Sequence, residues 1–150
     1  LSIKYIGIYG LGSLTDLEIS SNKITSIDDA ISTSMVGIYA QGYKSLIAKN
    51  TINIKNSRTG NVCAIAATAM TDSVITANPI TVDCDDTTGS HYGLWLVNSD
   101  RNVISSNSMD MVNGDAKDIG ILFSASSNDN EGPGNVTINC GPGKGIVQEE

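Results

Sequence analysis

Acidic side chains gather in two loops of the sequence, where they could supply metal ligands or a pair of catalytic carboxylates. Asp83, Asp85 and Asp86 lie close together and precede His91, the single histidine of the chain. Carboxylate oxygens are the ligands that Ca²⁺ prefers, so calcium is the one possible cofactor, although the spacing differs from that of an EF-hand. Asp85 and Asp118 lie in separate loops, and facing carboxylates can act as general acid and general base. Acidic loops most often only contact solvent, so the sequence disfavours a catalytic site in this segment.

A repeated pattern around four asparagines determines how these loops are placed. Asn22, Asn50, Asn78 and Asn107 are 28, 28 and 29 residues apart. An isoleucine lies three residues before each asparagine, at Ile19, Ile47, Ile75 and Ile104. Another apolar residue lies two positions after it, at Ile24, Ile52, Ile80 and Met109. Self-similarity at such a period is the signature of a solenoid protein.

The repeat unit is built from strands rather than helices. Apolar residues alternate over short runs such as Ile52-Asn53-Ile54 and Ile80-Thr81-Val82, and many of them are β-branched. Apolar stripes at helical spacing are missing from the sequence. The asparagine lies between two strands, and asparagine tolerates the left-handed backbone conformation that a sharp bend requires. Stacked asparagine amides can then donate to one neighbouring coil and accept from the other.

The first strand of each unit has its own motif. Gly93-Leu94-Trp95 matches Gly37-Ile38-Tyr39 and Gly7-Ile8-Tyr9, and Cys63-Ala64-Ile65 fills the same place in the remaining unit. With the asparagine pattern, this unit resembles the parallel β-helix repeat of pectate lyases, polygalacturonases, phage tailspikes and carbohydrate-binding proteins. The resemblance implies an all-β fold, a right-handed parallel β-helix with three strands per coil and an asparagine ladder.

The repeat extends over nearly the whole chain. We expect five to six coils in one domain spanning residues 1–150, with a longer loop inserted at residues 124–134. A stack of five to six coils needs a cap at each end. Because the sequence shows no capping helix and starts without a methionine, we expect a fragment of a longer protein, or a segment whose ends are covered by partner chains.

Four charged residues form a second series across the repeats. Asp16, Lys44, Asp72 and Arg101 lie three residues before the aligned isoleucines, and their signs alternate. Charged residues of successive repeats are one strand spacing apart, so each charge can pair with the next. Exposed pairs of this kind contribute about 0 to 1 kcal/mol each, which indicates a structural charge ladder rather than a catalytic one.

An apolar series on the first strands offers a binding surface. If Ile8, Ile38 and Leu94 point inward, alternation turns outward Tyr9, Tyr39, Ile65, Trp95 and Leu122. A contiguous apolar stripe on the outside marks an interface or a ligand site. The aromatic rings suit stacking on sugars, whereas Ile65 and Leu122 suit packing against identical subunits better. Coverage by a segment outside this sequence is a third explanation.

The resemblance implies a function at the level of a class. We expect a rigid segment of a tailspike-like virion protein, homotrimeric, located in a virion tail or extracellularly, that recognises a host-cell polysaccharide. Alternatives are a β-helix polysaccharide lyase or hydrolase, and a bacterial surface or periplasmic carbohydrate-binding protein. Glycosidases of this type carry carboxylates near the first strands, but the outward positions here carry none. The net charge of −7 disfavours nucleic acid as a partner, and no apolar run is long enough for membrane insertion.

Overall fold

The computed structural model describes residues 5–10, 12, 14–26, 35–56, 60–84 and 89–149. This part of the chain contains strands and turns and no helix. Accordingly, none of the residues described forms a helix that could span a membrane.

Short strands follow one another along the chain and stack in parallel. In chain order the described strands are β1 (Tyr5–Gly10), β2 (Glu18–Ser20), β3 (Lys23–Ser26), β4 (Met35–Tyr43), β5 (Leu46–Ala48), β6 (Thr51–Asn56), β7 (Val62–Thr71), β8 (Val74–Thr76), β9 (Pro79–Cys84), β10 (His91–Val97), β11 (Val103–Ser105), β12 (Ser108–Val112), β13 (Ile119–Phe123), β14 (Val136–Ile138) and β15 (Ile146–Gln148). Every third strand joins the same sheet through the first twelve strands. The first sheet has the order β1-β4-β7-β10-β13-β15, the second β11-β8-β5-β2 and the third β14-β12-β9-β6-β3. The predicted all-β solenoid of stacked parallel strands is confirmed.

About four full turns are present, fewer than the five to six that we predicted. The fifth turn contains β13 and β14 but has no strand in the second sheet. Its place is taken by the polar stretch between Phe123 and Val136, in which Glu131 forms an isolated β-bridge with Val103 and Asn135 Nδ2 donates to Ile104 O. A sixth turn contributes only β15.

The core lies inside the three sheets and is built from stacked rows of identical or similar side chains. Ile19 pairs in register with Ile47, Ile47 with Ile75, and Ile75 with Ile104. The last three are completely buried and Ile19 is 5% exposed. Burying a side chain of this size contributes about 1.5–3 kcal/mol. The aligned isoleucines of the sequence therefore form one continuous hydrophobic column.

The bend between the second and third sheets is made one residue earlier than we predicted. The residues with positive φ are Ser21 (58°), Lys49 (58°), Ala77 (54°) and Ser106 (56°), each directly before an asparagine. The asparagines themselves are not among the positive-φ residues. The left-handed conformation costs these residues about 1–2 kcal/mol each. The asparagines act through their side chains, which hold the neighbouring turns together.

Hydrogen bonds link the asparagines of successive turns. Asn22 Nδ2 donates to Asn50 Oδ1 at 3.0 Å, Asn50 Nδ2 to Asn78 Oδ1 at 3.0 Å, and Asn78 Nδ2 to Asn107 Oδ1 at 2.9 Å. The same oxygens accept the backbone N–H groups of Asn22, Asn50 and Asn78. The series continues to Asn135, whose Oδ1 accepts from Asn107 Nδ2 at 3.1 Å. Asn135 lies 28 residues after Asn107, but the sequence pattern did not include it, because Gly132 and Thr137 occupy the places of the flanking apolar residues.

A second polar series at the bend after the first sheet was not predicted. Ser45 N donates to Ser73 Oγ, Ser73 N to Asn102 Oδ1, and Asn102 N to Asn130 Oδ1, each at 2.9 Å. Two serines are followed by two asparagines in this series, so no single residue type repeats through it. Asn130 and Asn135 both come from the long loop, which is therefore tied to the stack at two points.

The four residues of the predicted charge ladder lie at equivalent places, next to this second series. Asp16, Lys44, Asp72 and Arg101 all have positive φ, between 52° and 59°. Arg101 donates to both carboxylate oxygens of Asp72, at 2.7 and 3.0 Å. Lys44 Nζ instead lies over the Tyr43 ring, 5.1 Å from its centroid. The four charged residues of alternating sign thus share a left-handed backbone conformation at this corner of the solenoid.

Candidate functional site

The outer face of the first sheet carries a row of aromatic side chains. Tyr9 of β1 pairs in register with Tyr39 of β4, and Tyr39 pairs with Ala66 of β7. Ala66 pairs on its other side with Trp95 of β10, which pairs with Leu122 of β13. Four of the five positions predicted for this row, all but Ile65, therefore lie in it.

The prediction for Ile65 was wrong. Ile65 pairs with Ile38 and Leu94 and is completely buried in the core. The sequence comparison had placed Ile65 opposite Trp95, one residue out of register, because Cys63 was matched to a glycine. A shift of one residue moves a side chain to the opposite face of a strand. The outward residue at this level is Ala66.

Leu122 lies in the outward row but is not available on the surface, since only 4% of it is exposed. Tyr39 and Trp95 are partly exposed, and Tyr9 is 52% exposed. The accessible part of the row is therefore aromatic. Ile65 lies in the core instead, and Leu122 is buried.

Small residues of β7 form a depression between the aromatic side chains of its two neighbours. This aromatic groove has a volume of about 470 Å³ and is lined chiefly by Tyr39, Cys63, Ala66, Thr68, Tyr92 and Trp95. β7 lies between β4 and β10, about 4.8 Å from each. The floor is low because cysteine, alanine and threonine are shorter than the tyrosine and tryptophan beside them.

Cys63 and Tyr92 reach this outer face through an irregular pattern of side chains on the first sheet. In β4, both Gly37 and Ile38 are buried, so strict alternation is broken at this point. Val36, Cys63 and Tyr92 pair in register and all line the groove. Strict alternation from Ile38 and Leu94 directs Val36 and Tyr92 inward, so the sequence analysis did not include them in the outward series.

Two aromatic pairs form the walls of the groove. The ring centroids of Tyr9 and Tyr39 are 5.2 Å apart with an angle of 28° between the ring planes. Those of Tyr92 and Trp95 are 5.2 Å apart with an angle of 25°. Stacked pairs of this kind contribute about 0.5–1.5 kcal/mol beyond the area they bury. The walls are thereby held in place before any ligand binds.

The groove is uncharged. None of the described residues that line it is Asp, Glu, Lys or Arg, although the whole chain has a net charge of −7. Its polar groups include the Thr68 hydroxyl. Trp95 Nε1 is buried and has no hydrogen-bond partner. A buried donor without an acceptor costs about 1–3 kcal/mol. Because this nitrogen is buried, Trp95 can offer a ligand its ring but not its N–H.

The carboxylates proposed for catalysis do not form an exposed pair. Asp118 is completely buried, and its Oδ1 lies 2.6 Å from Nδ1 of His91, which is also completely buried. Its Oδ2 accepts the backbone N–H of Asp115. Asp85, its predicted partner, lies outside the described residues. Asp118 is therefore committed to His91 and to its own loop rather than facing solvent.

The predicted calcium loop is described only in part. Asp85 and Asp86 lie outside the described residues. The Asp83 carboxylate lies 3.3 Å from Lys55 Nζ and accepts a hydrogen bond from Asn113 Nδ2 at 3.1 Å. Within the described ranges, no group of three or more His, Cys, Asp or Glu residues is placed to hold a metal ion.

Comparison with known proteins identifies one family. Residues 7–139 match the family model described as NosD: Periplasmic copper-binding protein (NosD). The chain matches no curated protein and no solved structure.

Proposed function

The chain belongs to the NosD family, and from this premise we propose that it is a carbohydrate-binding β-helix module that acts outside the cytoplasm. The aromatic groove is its binding site, and a neutral polysaccharide is its ligand. The family is described as periplasmic, which supports a location beyond the cytoplasmic membrane.

The observation that carries this proposal is the groove itself. Ligand sites are concave and mostly apolar, and a few polar groups in them fix the orientation of the ligand. The groove has aromatic walls, a floor of small residues and the Thr68 hydroxyl as a polar group. The apolar C–H faces of a sugar ring can pack on Tyr39 and Trp95, while a sugar hydroxyl forms a hydrogen bond with the Thr68 hydroxyl.

The charge distribution favours a neutral ligand over an acidic one. Recognition of a uronate or sulfate usually requires arginine or lysine. No such residue is among the described residues that line the groove, and the net charge of −7 repels polyanions. A neutral glycan needs no arginine or lysine for recognition, and the negative net charge of the chain does not repel it.

Subunit packing in a tailspike-like trimer is less well supported than sugar binding. The two residues that favoured it were Ile65 and Leu122. Ile65 belongs to the core and Leu122 is 4% exposed, so neither offers surface to a second subunit. The remaining aromatic side chains border a concave floor, whereas a subunit interface needs complementary packing over its whole area. The trimeric virion role stays a prediction.

Copper binding, which the family description names, does not fit the described residues. Copper in proteins is held by imidazole, thiolate and thioether groups. His91 Nδ1 faces Asp118, and His91 Nε2 is buried without a partner. The described ranges place no group of three or more His, Cys, Asp or Glu residues to hold a metal ion. Met70, Met109 and Met111 are fully buried in the core, and Met35 and Cys63 line the groove with no histidine among its described lining residues. We therefore assign copper no role in this segment.

Titration calorimetry with neutral oligosaccharides tests the proposal, and Trp95 provides a second signal. It is the only tryptophan of the chain and lines the groove, so a bound sugar should shift its emission to shorter wavelength. A panel of glucan, mannan and chitin oligosaccharides covers the common neutral backbones, and oligogalacturonate serves as the acidic comparison. We expect Trp95→Ala to weaken binding at least about tenfold, the equivalent of 1.4 kcal/mol.

Ile138→Ala is the matched control, because Ile138 is an exposed apolar residue of the third sheet, 47% exposed and remote from the groove. Its affinity should equal that of the unmodified chain. The proposal fails if no neutral glycan gives heat or an emission shift, or if Trp95→Ala binds unchanged. Preference for oligogalacturonate would overturn the neutral ligand class. Light scattering that shows an oligomer dissociated by Trp95→Glu would identify the groove as a subunit interface instead.

A further inference from the structure

A second hollow lies on the same outer face of the first sheet. It has a volume of about 320 Å³ and is lined by Gly12, Gln41, Gly42, Tyr43, Ala69 and Thr71. Tyr43 is 40% exposed at its edge. The Lys44 ammonium group lies 5.1 Å from the centre of the Tyr43 ring and makes a cation–π contact with it.

The hollow continues the aromatic groove along the strands. Tyr39, Gln41 and Tyr43 follow one another at the period of two that places side chains on one face. Gln41 Nε2 donates to the Tyr39 hydroxyl at 2.9 Å, so a residue of the hollow contacts a wall of the groove. On the floor, Thr68 of the groove is followed directly by Ala69 of the hollow.

A bulge in β7 makes this continuity possible. Ala40 pairs with Ala67 and Gly42 with Met70, so two residues of β7 lie opposite one residue of β4. Ala69, the second of the two, has a φ of 51°. A bulge turns the following side chains, and bulges are frequent next to binding sites. Here Ala69 and Thr71 stay on the outer face, where they continue the floor that Ala66 and Thr68 form in the groove.

The two hollows follow one another along one strand rather than along the stack. Towards the first turn, Tyr39 stacks on Tyr9, and towards the last turn the row continues from Trp95 to Leu122, which is buried. Along the ten-residue strand β7, roughly 30 Å long, Thr68 lines the groove and Ala69 and Thr71 line the hollow.

We propose that the aromatic groove and the Tyr43 hollow form one continuous binding track for an extended, neutral oligosaccharide chain that runs along β7, across the axis of the solenoid. This inference rests on the proposed function and adds to it the length and the direction of the ligand. A short sugar fills the groove alone. A longer chain also packs on Tyr43.

Chain length is the variable that tests this inference. The probes are the disaccharide, tetrasaccharide and hexasaccharide of whichever neutral glucan, mannan or chitin series the groove binds, measured by calorimetry. We expect the hexasaccharide to bind at least about tenfold more tightly than the disaccharide. Tyr43→Ala should remove most of that gain and leave disaccharide affinity unchanged. Tyr43→Phe keeps the ring and should retain the gain.

Val136→Ala is the control for a truncated exposed residue, since Val136 is 54% exposed on the third sheet. It should bind all lengths as the unmodified chain does. The inference is overturned if affinity does not increase with length, or if Tyr43→Ala weakens the disaccharide as much as the hexasaccharide. Failure of every length to bind would instead overturn the proposed function, and this inference with it.

Discussion

Trp95 of β10 pairs in register with Ala66 of β7, so the largest side chain on the outer face of the first sheet stands beside one of the smallest. Tyr39 pairs with Ala66 from the other side. This sequence of large, small and large residues across three strands creates the groove. Its shape therefore depends on Ala66 as much as on the aromatic rings.

Filling the floor should abolish binding without removing any aromatic contact. Ala66→Phe places a ring between Tyr39 and Trp95, in the space that a sugar would occupy. We expect at least about a tenfold loss of affinity for neutral glycans by calorimetry. Ala125→Phe, at an exposed position of the long loop, is the control and should bind normally. Normal binding by Ala66→Phe would mean that the groove is not the site.

Removing one asparagine from the stacked series should destabilise the solenoid strongly. Asn78 Nδ2 donates to Ile47 O and Asn107 Oδ1, and its Oδ1 accepts from Asn50. Asn78→Ala leaves several buried groups without partners, at a cost of about 1–3 kcal/mol for each group. Urea unfolding should show a loss of about 3 kcal/mol or more.

Asn53→Ala provides the comparison for that measurement. Asn53 is exposed on β6, so its replacement should change the unfolding free energy by less than about 0.5 kcal/mol. Equal effects of the two substitutions would show that the stacked amides have no special role in stability.

The buried pair of His91 and Asp118 should be structural. Asp118→Ala leaves His91 Nδ1 buried without its partner, and a buried polar group left unpaired costs about 1–3 kcal/mol. We expect a clear drop in the urea midpoint, whereas Glu18→Ala, at an exposed carboxylate, should have little effect. A variant that is stable but has lost a polysaccharide-cleaving activity of the unmodified chain would restore the catalytic hypothesis for Asp118.

Acid should weaken the surface pair of Asp72 and Arg101 within a defined range. Hydrogen bonding to Arg101 lowers the pKa of Asp72 below its ordinary value of 3.8. Because the folded state has the lower pKa, the pair stabilises the fold above pH 3.8 and loses this effect as the pH falls through the folded pKa. NMR titration of the Asp72 carboxyl should show a midpoint below 3.8, and Arg101→Gln should raise it. An unchanged midpoint in Arg101→Gln would contradict this assignment.

The architecture was predictable because its determinants are local and repeated. Ile47, Ile75 and Ile104 occupy equivalent places in successive units, and residues that repeat at the length of one turn must stack. Asn130 and Asn135 keep the spacing of 28 residues but escaped detection, because the residues around them lack the apolar pattern of the other units. The left-handed residues Lys49 and Ala77 also escaped, since neither residue type signals a positive φ.

The binding surface could be predicted only in outline. Tyr39 and Trp95 were placed on the outer face by alternation alone. Ile65 was misplaced because the register of β7 depends on its pairing with β4 and β10, and one residue of error reverses the face. The bulge at Ala69 and the irregularity at Gly37 follow from contacts between strands, which no single unit of the sequence contains.

The sequence by itself determined that this chain is a stack of parallel strands with an isoleucine column inside and aromatic residues outside, because side-chain period and repeat length are properties of the chain. Only the tertiary structure decided that Ala66 separates Tyr39 from Trp95, that Tyr43 extends the same surface, and that Asp118 lies against His91. These relationships join residues from different turns, and their geometry is fixed by interstrand hydrogen bonding and packing rather than by neighbours in sequence.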